Sequence, residues 1–232
     1  MDHVRELPGG GDAGLWLVRT DEGPASADGA GVLDADELRR AAAFVFDRHR
    51  LRYVAAHMAL RGILGERLGR APGALRFVRR PCAHCGEPHG RPALADAPEL
   101  HFSLSHSGGL SLVALAAVAV GADVEEVAEP TAADDLAGVL HPGERAELAA
   151  LDDPWERRLA VSRAWVRKEA YLKGIGTGLS RAPDLDYVGT LPGSPGAPGG
   201  WSLRDVPVPD GYAAAVALGP ARPADVTGSL PG

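Results

Sequence analysis

Two carboxylates one residue apart form the first group that could do chemistry. Asp123 and Glu125 lie in Val120–Glu125, a segment whose composition predicts a strand. Side chains at positions i and i+2 of a strand point to the same face, so the two acids should lie side by side. Such a pair favours a bound cation, and hard oxygen ligands prefer magnesium or calcium to zinc. The same pattern also fits two solvated acids on an edge strand.

A third carboxylate lies on a predicted helix that runs into a glycine-rich segment. Trp165, Glu169 and Lys173 are spaced by four residues and therefore share one helix face. On a solvated face, Glu169 and Lys173 would form an ion pair worth only about 0.2–0.5 kcal/mol. However, three of the five residues from Gly174 to Gly178 are glycine, which lets a backbone approach a ligand closely. The carboxylate, the lysine and the open loop together predict a polar site.

The sequence Ser-His-Ser-Gly at residues 105–108 follows a predicted strand, His101–Leu104. Its hydroxyls, imidazole and free N–H groups suit phosphate binding. The alternative is a hydrolase nucleophile, which typically lies in G-x-S-x-G between a strand and a helix. Here glycine is absent two residues before Ser105, and the next segment, Leu110–Ala119, predicts a buried strand. Phosphate binding is therefore the preferred interpretation.

The predicted helices come first among the elements that must position these groups. Asp34 followed by Glu37 forms a capping-box pattern, which predicts a helix that runs to about Leu68 with a break near Asp47. Proline in the first turn marks the start of two later helices. They are predicted at Pro142–Leu151 and Asp153–Lys173.

The predicted strands fill most of the remaining chain. They are expected at Leu15–Arg19, Leu75–Val78, His101–Leu104, Leu110–Ala119, Val120–Glu125, Trp201–Val206 and Tyr212–Leu218. Gly174 is the expected terminator of the last helix, since glycine is the usual residue after a helix end. Residues 1–14 predict a frayed start, and residues 81–98 predict an extended loop.

The composition limits the classes of function. The 232 residues suffice for one large domain or two small halves, and a 45% hydrophobic content allows a substantial core. The longest apolar run, Leu110–Val120, is interrupted by Ser111 and is shorter than the roughly 18 residues of a membrane span. A net charge of −7 argues against non-specific nucleic-acid binding. The polar N-terminus does not resemble a signal peptide, so a cytoplasmic protein is expected.

The charges are unevenly distributed along the chain. Arginines dominate between Arg39 and Arg91, and acidic residues dominate between Asp123 and Glu156. A basic front half and an acidic centre suit a polyanionic ligand that also needs a cation. Solvated helix faces would give the same composition.

The two cysteines form a C-x2-C pair, Cys82 and Cys85. A tetrahedral zinc site needs four ligands, and His84 and His89 are the candidates to complete one. The spacing is tight, because His84 lies between the two cysteines. A turn that carries two reduced thiols is therefore the preferred interpretation.

The three polar groups, in this order and spacing, resemble the motifs of the Sfp-type 4′-phosphopantetheinyl transferases. The matching segments are Ser-His-Ser-Gly at 105–108, G-x-D-x-E at 121–125, W-x-x-K-E-A-Y-x-K-G at 165–174 and G-x-G-L at 176–179. Gly90-Arg91-Pro92 resembles a G-[KR]-P element of that family, and the likeness extends over about residues 34–218. Ala122, where relatives usually have isoleucine, and the loop with the two cysteines depart from the pattern.

This resemblance implies roles for individual residues. Asp123, Glu125 and Glu169 would bind magnesium, for which manganese could substitute. Glu169 would deprotonate the carrier serine directly or through water, and Lys173 and Asp123 would be further catalytic groups. Contacts with coenzyme A would come from Arg48, Arg52, Arg91, Ser105, His106 and Lys173.

The resemblance also implies a fold of the α/β (α+β) class. It consists of a pseudo-twofold pair of similar subdomains, each with a small, mainly antiparallel sheet packed on a long helix. Residues 15–119 would form the N-terminal subdomain and residues 120–219 the C-terminal one. Residues 1–14 would be a flexible N-terminus and residues 220–232 a flexible tail.

The implied reaction transfers the 4′-phosphopantetheine arm of coenzyme A to a serine of an apo acyl or peptidyl carrier protein and releases 3′,5′-ADP. A monomer would do this in the cytoplasm, where it would activate polyketide, nonribosomal peptide or fatty-acid synthases, with antibiotic biosynthesis among the pathways. Two alternatives are a catalytically inactive coenzyme A-binding protein and a metal-dependent phosphohydrolase.

Overall fold

The computed structural model describes residues 3–8, 12–22, 31–81, 83, 85–87 and 90–221. These residues contain nine strands and five α-helices, joined by loops and short 3-10 turns. The strands are β1 Val4–Glu6, β2 Ala13–Arg19, β3 Phe77–Arg79, β4 Pro92–Leu94, β5 His101–Ser107, β6 Leu110–Ala116, β7 Val120–Glu126, β8 Ser202–Asp205 and β9 Tyr212–Leu218. The helices are α1 Ala35–Ala42, α2 Asp47–Leu68, α3 Pro130–Gly138, α4 Pro142–Ala149 and α5 Pro154–Ile175. None of these helices carries an apolar stretch of the length that a membrane span requires.

The strands form three antiparallel sheets, with the orders β1-β2-β6-β5, β3-β4 and β7-β9-β8. α2 packs on one face of the four-stranded sheet, where Leu64 and Val113 are fully buried. α5 packs on the three-stranded sheet, where Val166 and Ala215 are fully buried. The opposite faces of these two sheets meet in a core that contains Leu112. The layers therefore follow the order helix, sheet, sheet, helix, which confirms the expected class with two small antiparallel sheets, each on a long helix.

The helix ends follow from local capping chemistry. The Asp34 carboxylate accepts a hydrogen bond from the backbone N–H of Glu37, and the Glu37 carboxylate accepts one from the N–H of Asp34 at 2.9 Å. This confirms the predicted capping box, and the gap between α1 and α2 matches the predicted break. α2 and α5 end at Gly69 and Gly176, which have φ of 63° and 83°, where glycine is the least strained residue.

Two short strands correct the sequence-based prediction. Residues 1–14, predicted as a frayed start, contain β1, in which Val4 lies opposite Val18 of β2. With only three residues at a sheet edge, β1 is too short for its alternation to be recognised. The loop predicted for residues 81–98 contains β4, which begins at Pro92. Proline indicates a loop, yet it is tolerated as the first residue of a strand.

The helical predictions need two corrections. α3 lies in a segment for which no helix is predicted, because its buried residues, Ala133 and Ala137, are small and give little periodicity. α5 does not stop at Gly174 but continues to Ile175. A Cβ at Gly174 would lie 2.4 Å from the Trp201 ring, so this glycine is required by packing and not by helix termination.

Serines join β5 to β7, where the edges of the two larger sheets lie side by side. Ser103 Oγ accepts a hydrogen bond from the N–H of Ala122 at 3.0 Å, and Ser107 Oγ accepts one from the N–H of Glu126 at 3.1 Å. Ser105 lies between them on the same face of β5. The hydroxyls of Ser103 and Ser107 therefore accept hydrogen bonds from backbone N–H groups of β7, as the carbonyl oxygens of a paired strand would.

β7 approaches α5 most closely at Gly121. A Cβ at this position would lie 1.9 Å from the carbonyl oxygen of Ala170 and 2.5 Å from the backbone nitrogen of Gly174. Both of these atoms belong to the helix backbone and cannot move aside without moving α5. The contact therefore sets the distance between Asp123 on β7 and Lys173 on α5.

We expect Gly121→Ala to lower the free energy of unfolding by at least about 1–3 kcal/mol, the usual cost of overpacking a core. Equilibrium urea denaturation measures this change. Gly62→Ala is a matched control, because an added Cβ on this glycine of α2 would have nothing within 4 Å. That control should gain up to about 1 kcal/mol from the better helix propensity of alanine. Equal unfolding midpoints for the wild type and Gly121→Ala would contradict the close approach.

Candidate active site

The candidate site lies where β5, β7 and the last turn of α5 meet. Asp123 is fully buried, and its Oδ1 accepts hydrogen bonds from Ser105 Oγ at 2.7 Å and from Lys173 Nζ at 2.5 Å. Lys173 Nζ also donates to Ser105 Oγ at 3.0 Å. The second oxygen, Oδ2, is buried and has no hydrogen-bond partner among the described residues. Because a buried carboxylate oxygen without a partner is costly, Oδ2 marks a position for a further positive group.

Two half-buried carboxylates, Glu125 on β7 and Glu169 on α5, lie within electrostatic reach of Asp123. Loss of solvent raises the pKa of Glu169, and the charge of Asp123 raises it further, while Lys173 opposes the change. Loss of solvent also raises the pKa of Glu125, where the charges of Asp123 and Glu169 act in the same direction and a hydrogen bond with Ser107 acts against it. These mutual effects place the three carboxylates in one electrostatic cluster.

The chemistry of this cluster fits a hard divalent cation. All of its candidate ligands are carboxylate oxygens, which magnesium prefers, and Asp123 Oδ2 lacks a partner. In their present positions, no three His, Cys, Asp or Glu side chains of the described ranges are arranged to hold a metal ion. Lys173 supplies the positive charge at Asp123 Oδ1. The assignment of Asp123, Glu125 and Glu169 as magnesium ligands therefore stays a prediction.

His106 precedes the turn between β5 and β6. Part of its surface is exposed. Loss of solvent around the ring lowers its pKa, and the charges of His57 and Lys173 lower it further. Its ring is therefore mainly neutral at pH 7 and can donate one hydrogen bond and accept another. Gly108 shapes the turn with a φ of 53°, and a Cβ there would lie 2.3 Å from Glu126 Oε1.

Two of the arginines predicted to contact coenzyme A, Arg48 and Arg52, lie on α2. Arg52 is bound by Asp21, because its Nε and Nη2 donate to the two carboxylate oxygens at 2.6 and 2.9 Å. Arg48 is exposed one turn earlier, with its guanidinium 5.8 Å from the centre of the Phe46 ring. The sequence offers no signal for the Arg52–Asp21 pair, since its members are 31 residues apart.

Arg91 is the predicted arginine that the structure brings to the end of α5. Its Nη1 lies 3.5 Å from the carbonyl oxygen of Gly174, the residue that follows Lys173. Loss of solvent and then the charge of Arg80 lower the pKa of Arg91, with no carboxylate among the causes. Its charge can therefore act on an anion bound beside Lys173.

Two cations next to Glu169 in the sequence have structural roles that sequence reasoning missed. Lys168 is 2% exposed, and its Nζ donates to Glu144 Oε1 at 2.9 Å. Arg167 is fully buried and donates two hydrogen bonds to Asp205, at 2.7 and 2.6 Å. Successive helix residues are about 100° apart, so these neighbours of Glu169 cannot share its face. The sequence spacing therefore already indicated that Arg167 and Lys168 point away from the face of Glu169.

The zinc alternative falls largely outside the described residues. Of its candidate ligands, only Cys85 lies within them. Cys82, His84 and His89 lie outside, so the structure tests neither the zinc site nor the preferred turn with two reduced thiols.

Known proteins with similar sequences carry one common activity in their names. The model of the 4′-phosphopantetheinyl transferase superfamily matches residues 119–215. The 4′-phosphopantetheinyl transferase HetI of Nostoc sp. is 34% identical over 214 residues, which cover 88% of this chain and 86% of that protein. The 4′-phosphopantetheinyl transferases Sfp of Bacillus subtilis and psf-1 of Bacillus pumilus are 30% and 35% identical over 92 and 95 residues, 40% of each chain. The similarity to HetI thus extends well beyond the motifs.

The raised pKa of Glu169 predicts how the stability depends on pH. Its folded-state pKa lies above the ordinary value of 4.5, so the protonated form favours folding. This contribution is fully present below the unfolded-state pKa and is lost as the pH rises through the folded-state pKa. We therefore expect Glu169→Gln to increase the free energy of unfolding of the metal-free protein at pH 8 and to change it little near pH 4.5. Urea denaturation in EDTA at the two pH values measures both effects.

Glu66→Gln is the control for this experiment. Glu66 is exposed on α2, so its substitution should change the free energy of unfolding by no more than about 0.5 kcal/mol at either pH. A Glu169→Gln variant that is less stable than the wild type at pH 8 would mean that the charged carboxylate is well solvated or well paired in the fold.

Proposed function

Because this chain belongs to the 4′-phosphopantetheinyl transferase superfamily, we propose that it transfers the 4′-phosphopantetheine arm of coenzyme A to a serine of an apo acyl or peptidyl carrier protein. The observation that carries the proposal is the hydrogen-bonded cluster of Asp123, Ser105 and Lys173, with Glu125 and Glu169 near enough for the charge of Asp123 to raise their pKa values. It combines a lysine with carboxylates in a partly desolvated place, as phosphoryl transfer requires.

Asp123, Glu125 and Glu169 would hold magnesium, for which manganese could substitute. The unpartnered Oδ2 of Asp123 and the raised pKa values of the two glutamates support this assignment, because a cation would relieve both. All three proposed ligands bind through carboxylate oxygens, which prefer hard cations to soft metals. When bound, magnesium supplies positive charge that offsets the negative charge of the coenzyme A pyrophosphate.

In the proposed reaction, the hydroxyl oxygen of the carrier serine bonds to the β-phosphorus of coenzyme A. The bond from that phosphorus to the bridging oxygen breaks, and 3′,5′-ADP leaves with the electron pair. Glu169 takes the serine proton directly or through water, and the route through water fits its second role, because a bound magnesium would lower the basicity of the carboxylate. Lys173 Nζ stabilises the charge that develops on the α-phosphate of the leaving group.

The remaining predicted contacts would hold coenzyme A in place. Ser105 and His106 would contact phosphate groups from the end of β5. Arg91 is supported by its position beside Gly174 and by the lack of a carboxylate partner in the described chain. Arg52 and Arg48 would act from α2, with Arg52 first leaving Asp21 or binding together with it.

The acceptors would be carrier proteins of polyketide, nonribosomal peptide or fatty-acid synthases, including those of antibiotic biosynthesis, in the cytoplasm. A monomer suffices for the reaction, because one chain supplies the residues from β5, β7 and α5. A catalytically inactive coenzyme A-binding protein is the second candidate. It would bind coenzyme A but transfer nothing to any apo carrier, and a phosphohydrolase would release 3′,5′-ADP without a carrier.

We expect Asp123→Asn and Glu169→Gln each to lower kcat/KM by about 10²–10⁴-fold, the range for losing a charge-stabilising group or a general base. Mass spectrometry of a panel of purified apo carriers, with coenzyme A and magnesium, measures the added arm. Chelation of the metal by EDTA should stop the transfer, and added magnesium should restore it.

Glu66→Gln serves as the matched control, since it makes the same change on an exposed face of α2 and should transfer at the wild-type rate. Circular dichroism of each variant checks the fold. Wild-type rates for both site variants would remove Asp123 and Glu169 from the mechanism.

A further inference from the structure

The junction between α1 and α2 presents apolar side chains to solvent. Val45 is 89% exposed and Phe46 is 62% exposed, and we call these two residues the α1–α2 tip. Leu38 on α1 and Leu51 on α2 are exposed as well. Single exposed apolar residues are common on protein surfaces, whereas a group of them indicates a surface that binds a partner.

Local structure does not explain the two residues of the tip. Phe46 is the N-cap of α2, a position that favours Ser, Thr, Asp or Asn, and its side chain accepts no capping hydrogen bond. An apolar residue before the cap often packs on the fourth residue of the helix, but that residue is Arg50 here. Phe44 is the residue of this junction that packs, with its ring centre 5.4 Å from that of Tyr53. The chain is thus anchored at Phe44 and presents the next two side chains to solvent.

Exposed arginines accompany the tip. The guanidinium of Arg40 lies 5.8 Å from the ring centre of Phe44, and that of Arg48 lies 5.8 Å from the ring centre of Phe46. Both arginines belong to the exposed residues. Aromatic residues and arginine are enriched where proteins bind each other, and a positive patch pairs with a negative one. The complementary partner is therefore a protein surface with an apolar depression bordered by carboxylates.

A chain of contacts leads from the tip to the candidate site. Arg52 follows Phe46 by six residues, which is about 9 Å along a helix. Its Nε donates to Asp21 at 2.6 Å, and Asp21 lies against Gly109, where a Cβ would be 2.4 Å from Oδ2. Gly109 belongs to the turn after β5, the strand that carries Ser105 of the site. A domain of 100 residues has a radius of gyration of about 13 Å, so one protein bound at the site can also cover the tip.

We propose that the α1–α2 tip docks the apo carrier protein, with Val45 and Phe46 in an apolar depression of the carrier and Arg40 on its carboxylates. The inference rests on the proposed function, which requires a protein acceptor whose serine reaches Lys173. A stable interface buries about 800 Å² on each partner, so the contact extends well beyond the reacting atoms. The tip sets the affinity for the carrier and takes no part in binding coenzyme A.

Phe46→Ser tests the docking role in steady-state transfer assays with the panel of purified apo carriers. We expect the KM for the carrier to rise about 10–30-fold, as for the loss of an aromatic anchor, while the KM for coenzyme A and kcat stay unchanged. The urea midpoint should rise, because serine caps a helix better than phenylalanine does. A merely structural role would instead lower the midpoint and change both KM values.

Leu191→Ser is the matched control for this substitution. Leu191 is also exposed, but its carbonyl oxygen accepts a hydrogen bond from Arg167 of α5 at 2.9 Å. It therefore lies with the outer layer opposite α2. This variant should keep the wild-type KM for every carrier.

Arg40→Gln tests the charge of the tip. We expect the KM for the carrier to rise about 2–5-fold at low ionic strength, the range for losing an exposed ion pair. The difference from the wild type should shrink at high salt, because salt screens exposed charges. A difference that does not depend on salt would contradict the charge pairing.

Two other occupants of the tip would give different results. Phosphatidylglycerol vesicles that sediment the wild type but not Phe46→Ser, with equal KM values for the carrier, would overturn the proposal in favour of a membrane surface. A dimer in sedimentation velocity that Phe46→Ser abolishes, again with equal KM values, would overturn it in favour of a second copy of this chain.

Direct binding separates this inference from the proposed function. A wild-type protein that transfers nothing to any apo carrier would contradict the proposed function. Calorimetric titration of the same apo carriers into the wild type and Phe46→Ser would still decide the docking role, because it needs no turnover. A wild type that transfers the arm, together with a Phe46→Ser variant of wild-type KM for every carrier, would contradict the inference alone.

Discussion

The site depends on the close approach of β7 to α5. Gly121 and Gly174 lack side chains where the strand crosses the helix, and the Trp201 ring fills the space that a Cβ of Gly174 would take. Because Asp123 lies two residues after Gly121 and Lys173 directly before Gly174, the 2.5 Å contact between their side chains follows from this crossing. A larger residue at either glycine would move backbone and not merely a side chain. The chemistry of the site is therefore constrained by two glycines that have no side chain to contribute to it.

Buried cations hold the surrounding loops against the two long helices. Arg61 on α2 donates to Glu37, Asp34 and two backbone carbonyls, while Arg167 and Lys168 on α5 bind Asp205 and Glu144 in the same manner. A buried ion pair contributes little net stability, but removing one partner leaves an uncompensated charge that costs about 3–5 kcal/mol. These pairs therefore fix one arrangement of the loops more than they stabilise the fold. Glu37 of α1 also contacts His57 of α2, since its Oε1 lies 2.9 Å from Nδ1 of that ring.

The polar residues of the site were predictable from the sequence, because short-range periodicity fixes which side chains share a face. The i, i+2 spacing of Asp123 and Glu125 and the i, i+4 spacing of Glu169 and Lys173 each define such a face. The partners of the cations were not predictable, since Arg52 and Asp21 come from distant segments and pair only in the folded chain. The same holds for the fold. Long helices with caps were recognised, whereas β1, β4 and α3 carry too little periodic signal and exist through their contacts with neighbours.

The charge of the site connects its present arrangement with its proposed chemistry. Asp123, Glu125 and Glu169 carry three negative charges when ionised, against the one positive charge of Lys173, which leaves an excess of two. The fold reduces part of this excess, because it raises the pKa of both glutamates and pairs Lys173 with one oxygen of Asp123. The other oxygen, Oδ2, stays without a partner among the described residues. A divalent cation would balance the excess, and a pyrophosphate could then draw Lys173 away from Oδ1 without leaving Asp123 uncompensated. Binding of the ion and binding of the anion should therefore favour each other.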